Sequence, residues 1–487
     1  MSPATRKFAF LFCGALLFHL AGTWLLPLVD RDEPRFAEAS REMVERGDYV
    51  VPYFNDHYRF DKPPLTYWCQ VASDRVFGEN EFGARFPSAV AAALLAVVIF
   101  AWGRRLDLDR AGWWAAIIFT VCFQTFMHAK AAVADMWLVL FVTLAHWAGY
   151  ELRRDRFGGS WRSAVFTPNE QRGWWWLFYL SLALAFLAKG PIGWAPLGTV
   201  AIMQFLRPVP QLTRRFLFVR GILLLLALVA LWGVPAIIRT HGEFLAVGIG
   251  KHVIGRSFGT MEGHGGKSVL IALATLPFYF VMIFLSFAPW SVKLPWLVRR
   301  LWRKCDPLDL YLVVGTLLVF GIFSIVRTKL PHYTLPAFPL LALLLARHWL
   351  DADANLHRWS IATAAFWLAV ALIGFPLAAP YFPATALFKK AQPDLQPAMD
   401  FSANGFEEPS LVWVFRQRIH GFDVGELQPE EIRKFLASRG PHFVVVPTTL
   451  ADRLYPELPN AYRKFSTHGF NVAKGRWVDL TLILKKT

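Results

Sequence analysis

Cysteine and charged residues are both scarce in this sequence. Of its 487 residues only four are cysteine, Cys13, Cys69, Cys122 and Cys305, and 18% are charged. The cysteine spacing gives neither a disulfide framework nor the paired cysteines of a metal knuckle. There is also no internal repeat and no low-complexity tract. These absences exclude a disulfide-stapled scaffold and a cysteine-based structural metal site.

Acidic residues are few as well, with 35 Asp and Glu against 51 Lys and Arg. The net charge of +16 would suit a nucleic-acid-binding protein, but most basic residues lie in alternate short loops between apolar blocks. Those loops are cytoplasmic if the N-terminus, with Arg6 and Lys7, is cytoplasmic. Segment 30–84 carries seven Lys and Arg against twelve Asp and Glu, as expected on the outer side. The charge therefore predicts membrane topology and no nucleic-acid partner.

Apolar residues make up 55% of the chain, whereas soluble proteins have about 45–50%. They recur in uncharged blocks of about 15–22 residues, long enough to cross the hydrocarbon core as helices. The first block follows a short basic region without a cleavage site, which favours an uncleaved anchor. The sequence predicts an all-α polytopic membrane protein with about eleven spans, near 8–28, 85–103, 111–127, 132–150, 174–188, 191–206, 220–238, 269–290, 308–326, 333–349 and 359–379.

Two loops on the outer side are long enough to carry chemistry, 30–84 and about 239–268. Within the first, residues 34–46 start with a proline suited to a first helical position and place an apolar stripe opposite the charges. This pattern predicts an amphipathic helix at the membrane surface, and residues 63–77 predict a second one.

The composition changes after residue 385, where short apolar runs alternate with turn residues. Such a pattern is typical of a small α/β domain. With eleven spans this tail lies outside. We therefore expect a membrane-embedded catalytic domain at 1–384 and an extracytoplasmic α/β domain at 385–487.

Three carboxylates follow the first span, on Asp30, Asp32 and Glu33. An apolar boundary raises the pKa of a carboxyl group toward that of a general base. The alternative is that these acids cap the helix that follows them.

Two charges occur within or at the ends of apolar spans. Asp135 lies about one turn inside a span, with His128 and Lys130 nearby, and a charge there usually faces a polar cavity or a partner. Lys189 lies where two spans meet at a tight outer turn. The alternatives are a structural ion pair for Asp135 and a snorkelling side chain for Lys189.

The motif RFDKPPL places Arg59, Asp61 and Lys62 before two prolines that hold the backbone extended. A lysine fixed in this way is a good phosphate ligand, and Asp61 could bind a metal. A solvated ion pair in a turn is the alternative.

Two later segments on the outer side are rich in basic residues. The loop 239–268 is rich in glycine and could wrap an anion or offer histidine to a metal. The segment RTKLPHYTLP follows the ninth span, and its alternative role is interfacial anchoring. Their polar residues are Lys251, His252, Arg256, Glu262, His264, Lys267, Arg327, Lys329, His332 and Tyr333.

All six clusters emerge on one face under this topology and combine acids with an excess of cations. That combination suits a ligand with an anionic headgroup and an apolar tail. The motifs DRDEPRFAEASREM, RFDKPPLTYW, VADMWL, LAKGP, KHVIGRSF…GHGG and TKLPHYTLPAFPLLALL resemble, over about 5–350, the bacterial members of the protein-mannosyltransferase superfamily. The resemblance is greatest to the aminoarabinose (lipid A) transferase type.

This resemblance implies a GT-C fold in a bacterial inner membrane and inverting transfer of a sugar from a polyprenyl-phosphate donor to a lipid A, glycan or protein acceptor. It implies a catalytic base at Asp32, beside Glu33, with Asp135 assisting. A divalent metal, zinc, would lie by Asp61 with His252 or His264. The positions expected to hold the carrier phosphate are Arg59, Lys62, Lys189, Arg256, Lys329 and Tyr333.

A transporter or flippase of polyprenyl-linked sugars is the alternative from another class, since it also needs an apolar groove and a cationic headgroup site. Transporters usually place polar sites near mid-membrane and show two related halves. Here the polar residues cluster on one face without a repeat. A protein O-mannosyltransferase would differ in acceptor and sugar only.

Overall fold

The computed structural model describes residues 2–154, 168–255, 275–349 and 355–485. Helices dominate the first three of these ranges, and all strands but one short hairpin lie in the last. The helices are α1 Pro3–Leu20, α2 Asp32–Arg46, α3 Leu65–Phe77, α4 Glu81–Arg105, α5 Asp109–Val121, α6 Phe123–Ala129, α7 Asp135–Arg153, α8 Pro168–Lys189, α9 Ala195–Leu206, α10 Leu212–Phe216, α11 Phe218–Arg239, α12 Phe278–Ser286, α13 Leu294–Arg303, α14 Pro307–Ile325, α15 Phe338–Trp349, α16 Leu356–Ala369, α17 Phe375–Ala378, α18 Pro383–Ala391, α19 Pro409–Phe415, α20 Pro429–Ala437 and α21 Thr448–Leu454.

A helix overlaps each of the eleven predicted spans within the described residues. By length and apolar composition four of these segments could cross a membrane, and a bent pair, Phe278–Ser286 with Trp290–Arg303, could be a fifth. The four are Glu81–Arg105, Leu212–Arg239, Pro307–Ile325 and Leu356–Tyr381. Their length and composition make the chain a membrane protein of mainly helical fold.

The first helix ends earlier than the sequence predicts, at Leu20 rather than near residue 28. The Lys130 ammonium explains this end, because it donates to the carbonyls of Phe18, His19 and Ala21 at 2.7, 3.0 and 2.6 Å. Carbonyls at a helix C-terminus lack partners within the helix, so a cation there stabilises the end. The following segment then turns toward the outer loop.

Both predicted surface helices are present, as α2 and α3. The apolar stripe of α2, with Phe36, Ala39 and Met43, packs against Tyr67 of α3. The opposite, charged side does not face solvent as an amphipathic surface helix would, since Glu38 and Glu42 are also buried. That side is covered by the C-terminal tail.

The tail contains a four-stranded sheet in the order β3–β4–β6–β5. Strands β3 and β4 are parallel, and the β4–β6 and β5–β6 pairs are antiparallel. A two-stranded hairpin, β1–β2, lies in the first outer loop. The strands are β1 Tyr53–Phe54, β2 His57–Tyr58, β3 Asp400–Ala403, β4 His442–Pro447, β5 Tyr462–Asn471 and β6 Arg476–Lys485.

Buried ion pairs join the tail to α2. Arg416 lies 2.7 Å from Glu45 and also pairs with Glu38. Arg41 lies 2.7 Å from Glu38 and donates to the Trp413 carbonyl at 3.2 Å. Glu45 is exposed, but Arg41, Arg416 and Glu38 are buried. Each of these three charges requires its partner, so the contact between tail and α2 is specific.

Candidate active site

A cavity of about 700 Å³ lies between the first outer loop and the helices α8, α9, α11 and α14. Most of its wall is apolar, as a groove for a lipid chain requires. The indole nitrogen of Trp232 in α11 donates to the Val50 carbonyl at 2.8 Å and so fixes this wall to the first outer loop. The larger apolar side chains of the wall are Phe60, Leu138, Phe186, Ile192, Trp194, Leu226, Val229, Trp232, Val234, Ile237, Phe244, Leu318, Ile322, Phe323 and Val326.

Five polar residues line the same cavity: Asp61, Lys62, Asp135, Lys189 and Tyr333. They come from the first outer loop, from two helix ends and from the 3₁₀ segment Pro331–Ala337. All five are among the residues that the sequence singles out. The structure therefore brings Asp135, the predicted assisting acid, to one apolar cavity with three predicted phosphate ligands. These are Lys62, Lys189 and Tyr333.

Asp135 and Lys189 form an ion pair in this cavity. Lys189 Nζ donates to Asp135 Oδ1 at 2.5 Å, and Asp135 is buried. Lys189 is the last residue of α8, and Gly190, with φ of 85°, ends the helix in a conformation that side chains disfavour. The Lys189 ammonium also lies 5.5 Å from the Tyr333 ring centre.

Asp32 and Glu33 occupy different environments although they are adjacent. Glu33 is buried, and its carboxylate accepts from the amides of Val29 and Ala132 at 2.7 and 2.8 Å. The Arg85 guanidinium pairs with the same carboxylate at 2.6 Å. Asp32 is exposed, so its carboxylate is open to a substrate where that of Glu33 is not.

The charge of Asp32 lies close enough to interact with Arg59, Tyr67 and His128. His128 lies beside Asp135, because their ligand-type atoms are within 4.8 Å of one another. Asp32 therefore lies near the polar residues at the end of the cavity.

Asp30 lies where the first span meets the first outer loop. Ser410 donates to Asp30 from its backbone nitrogen at 2.9 Å and from its hydroxyl at 2.5 Å. Burial raises the pKa of Asp30 to about 7, although the bonds from Ser410 oppose this shift. Burial at the apolar boundary thus acts on the carboxyl group of Asp30.

Arg59 lies beneath the cavity and does not line it. Its Nε donates to the Tyr67 hydroxyl at 3.0 Å, and its Nη1 lies 3.0 Å from Asp61 Oδ2. The guanidinium also lies 5.5 Å from the Phe36 ring centre. These contacts orient Asp61 and brace α2 against α3, which differs from the expected contact with a phosphate.

Lys329 also differs from its expected place. Its ammonium donates to the carbonyls of Phe323 and Ser324 at 2.9 and 2.5 Å, at the C-terminus of α14, and it does not line the cavity. Arg256 and His264 lie outside the described residues, as does the side chain of His252, whose backbone belongs to the π-helical segment Phe244–Gly255.

Sequence reasoning missed the structural importance of three residues. The rings of His128 and His332 lie beside Asp135 with their centres 4.7 Å apart. Arg85 forms an ion pair with the buried carboxylate of Glu33. His128 and His332 were noticed only as neighbours of stronger signals, because their partners lie far away in the chain. A polar residue at the end of an apolar span was the one signal available.

Residues 10–245 match the family of dolichyl-phosphate-mannose-protein mannosyltransferases. The undecaprenyl phosphate-alpha-4-amino-4-deoxy-L-arabinose arabinosyl transferase of Aeromonas hydrophila is 31% identical over 341 residues. That match covers 69% of this chain but only 58% of the relative, less than two thirds of its length. The resemblance noted in the motifs is confirmed.

The fold is similar to that of ArnT from Cupriavidus metallidurans, whose crystal structure holds undecaprenyl phosphate. The TM-score is 0.78 at 18% identity, with 98% of each chain covered. The archaeal oligosaccharyltransferase AglB from Archaeoglobus fulgidus has a TM-score of 0.52 at 12% identity, covering 98% of this chain and 74% of the other. The chain therefore has the GT-C fold.

Proposed function

We propose that this chain, whose residues 10–245 match the dolichyl-phosphate-mannose-protein mannosyltransferase family, transfers a sugar from a polyprenyl-phosphate carrier to a lipid A, glycan or protein acceptor. One observation carries the proposal: an apolar cavity of about 700 Å³ has Lys62, Lys189 and Tyr333 at its polar end. An apolar wall accommodates a prenyl chain, and the cations neutralise its phosphate.

Departure of the carrier phosphate needs charge neutralisation more than protonation. Lys62 and Lys189 would supply it, and Arg256 would add a third cation. Cations can thus replace the acid that glycosidases place at the leaving group. The Tyr333 hydroxyl would donate a hydrogen bond to a phosphate oxygen.

Asp32 would be the general base, because its carboxylate is exposed near the cavity whereas that of Glu33 is committed to Arg85. It would take the proton of the acceptor hydroxyl or phosphate as that oxygen attacks the anomeric carbon. Attack occurs opposite the leaving phosphate, so the configuration inverts. Asp135 would hold Lys189 in place, and Glu33 would fix the turn that carries Asp32.

We derive no step through a metal at Asp61. Its carboxylate pairs with the Arg59 guanidinium at 3.0 Å, and the expected histidine ligands have side chains outside the described residues. The pair with Arg59 supplies at Asp61 the positive charge that a metal would otherwise bring. Arg59 then acts as a positioning residue for Asp61, and Lys329 stabilises the C-terminus of α14, rather than either binding the phosphate.

The topology belongs to the same proposal. Eleven spans would leave segment 30–84 and the tail 385–487 on the periplasmic face of the inner membrane, with the catalytic domain at 1–384. The buried ion pairs between Arg416 and α2 support this placement, because the tail and the first outer loop must then share one side.

The printed name of the Aeromonas hydrophila relative makes undecaprenyl phosphate-α-4-amino-4-deoxy-L-arabinose the first donor to test. Deletion of the gene should remove one sugar from lipid A, seen by mass spectrometry as a loss of the sugar mass, and the wild-type copy should restore it. Unchanged lipid A would redirect the search to other glycans or proteins. Accumulation of intact donor on the cytoplasmic leaflet, with transfer unimpaired in broken cells, would instead indicate a transporter.

A further inference from the structure

Two histidines and one aspartate converge at the polar end of the cavity. They are His128 of α6, Asp135 of α7 and His332 of the 3₁₀ segment Pro331–Ala337. A ligand atom of each lies within 4.8 Å of the other two. Asp135 is buried and lines the cavity, and both histidines are half-buried beside it, so the three side chains are partly shielded from bulk water.

We propose that His128, Asp135 and His332 bind a divalent transition metal of the zinc class. Two imidazoles and one carboxylate are the ligand set of many three-residue zinc sites. Magnesium and calcium prefer oxygen ligands, so two imidazole nitrogens select against them. Zinc bonds of about 2.0–2.1 Å place tetrahedral ligands about 3.3 Å apart. The three ligand atoms lie within 4.8 Å of one another. Side-chain movements of about 1 Å would bring them to the spacing of about 3.3 Å.

Two of the three residues already have an outer partner of the kind that orients metal ligands. The Gln124 Nε2 amide nitrogen lies 2.9 Å from His128 Nδ1 and donates to it, and Gln124 is buried. A half-turn of this amide would present its oxygen to the ring, so that Nδ1–H donates to it and Nε2 is left to bind the metal. Lys189 donates to Asp135 Oδ1, which restrains the carboxylate in the same way.

The local charge also admits a dication. With both imidazoles neutral, Asp135 and Lys189 cancel, so the site carries no net positive charge of its own. Among the described residues, Lys62 and Asp32 also act on His332 and His128 respectively, and these two charges have opposite sign. The fourth metal position would open toward the cavity, where water or an anionic oxygen can enter.

This site shares no residue with the metal expected at Asp61, His252 and His264. Asp61 and Asp135 both line the cavity, but Asp61 is held by Arg59, and histidine side chains stand beside Asp135. None of the contacts that define this metal site involves a sugar donor or acceptor. Zinc binding can therefore be tested independently of the proposed sugar transfer.

Zinc binding tests this site directly. Full-length protein, purified in detergent through a tag without histidine and stripped with EDTA, is titrated with zinc chloride by calorimetry. We expect one saturable site in the wild type and its loss in His128→Gln and in His332→Gln. Zinc should also raise the melting temperature of the wild type but not of these two variants.

His468→Gln is the matched control, because His468 also pairs with an aspartate, Asp479, at 2.7 Å, but on the exposed surface of the tail. It should bind zinc as the wild type does. A wild type without saturable zinc binding overturns the proposal, and so does undiminished binding in a His128→Gln/His332→Gln protein. The second result would place the zinc elsewhere in the chain.

Discussion

Lys189 Nζ lies 2.5 Å from Asp135 Oδ1, so two residues 54 positions apart meet at the polar end of an apolar cavity. The sequence marks both, each for a charge at a span end, but does not show that they touch. The contact argues against a snorkelling Lys189, because a lysine held by a buried carboxylate does not extend toward water. It is also the ion pair that was the alternative expectation for Asp135. We propose that the same lysine meets the carrier phosphate.

Lys189→Gln should therefore weaken binding of undecaprenyl phosphate by about 1.5–3 kcal/mol, the range of a hydrogen bond to a charged group. Titration of purified protein in detergent measures the change. Lys329→Gln is the control, because that ammonium binds helix carbonyls and does not line the cavity, so its loss should leave affinity unchanged. Equal affinity for wild type and Lys189→Gln would remove Lys189 from the phosphate site.

Arg85→Ala should destabilise the protein strongly, by about 3–5 kcal/mol, because it leaves the Glu33 carboxylate buried without its cation. Thermal unfolding in detergent, followed by circular dichroism, measures the loss. Lys464→Ala removes the exposed pair with Asp452 and should cost less than about 1 kcal/mol. Similar melting temperatures for the two variants would contradict the structural role of Glu33.

The burial of the Asp30 carboxyl group against the tail should make stability depend on pH. The pKa of Asp30 is about 7 in the folded protein and near 3.8 ordinarily, so folding favours the protonated form. Its contribution is full below about pH 4 and is lost as pH rises through 7. The fall in melting temperature from pH 5 to pH 8 should be smaller in Asp30→Asn than in the wild type.

Glu38 and Asp74, whose pKa values burial also raises to about 7, remain in both proteins. The difference between wild type and Asp30→Asn therefore isolates Asp30. An identical pH dependence in the two would show that the carboxyl group of Asp30 is not buried against the tail.

The topology predicts which cysteines an impermeant thiol reagent reaches in intact spheroplasts. A cysteine introduced by Glu457→Cys, at an exposed position in the tail, should be labelled in a protein that lacks Cys69. Native Cys305, exposed in a predicted cytoplasmic loop, should react only after lysis and serves as the internal control. Labelling of Cys305 in intact spheroplasts, with labelling of the introduced cysteine only after lysis, would show the opposite topology.

Local patterns predicted local structure well. The apolar stripe and the charges of residues 34–46 give α2, and the apolar runs after residue 440 give β4 and β6. The end of the first span was missed because the cation that stabilises it, Lys130, lies 109 positions beyond the last carbonyl it binds. No local pattern contains that information.

The candidate site shows the same division. Charge at the ends of apolar spans identified Asp135 and Lys189, and the RFDKPPL motif identified Lys62; all three line the cavity. The same kinds of signal also selected Lys329 and Arg59, whose side chains are engaged by helix carbonyls and by Tyr67. Residue type and position relative to the membrane fix neither rotamer nor partner, so only the packed structure separates these cations.

Asp32→Asn provides the most direct test of the proposed reaction. Asparagine keeps the size of the side chain and a hydrogen-bond acceptor but cannot take up a proton. Purified wild type and variant are given undecaprenyl phosphate-linked aminoarabinose and lipid A, and release of undecaprenyl phosphate is followed with time. If Asp32 is the base, donor affinity should be equal and turnover should be lower by about two to four orders of magnitude in the variant. A well-folded Asp32→Asn protein that transfers sugar at the wild-type rate would contradict this role.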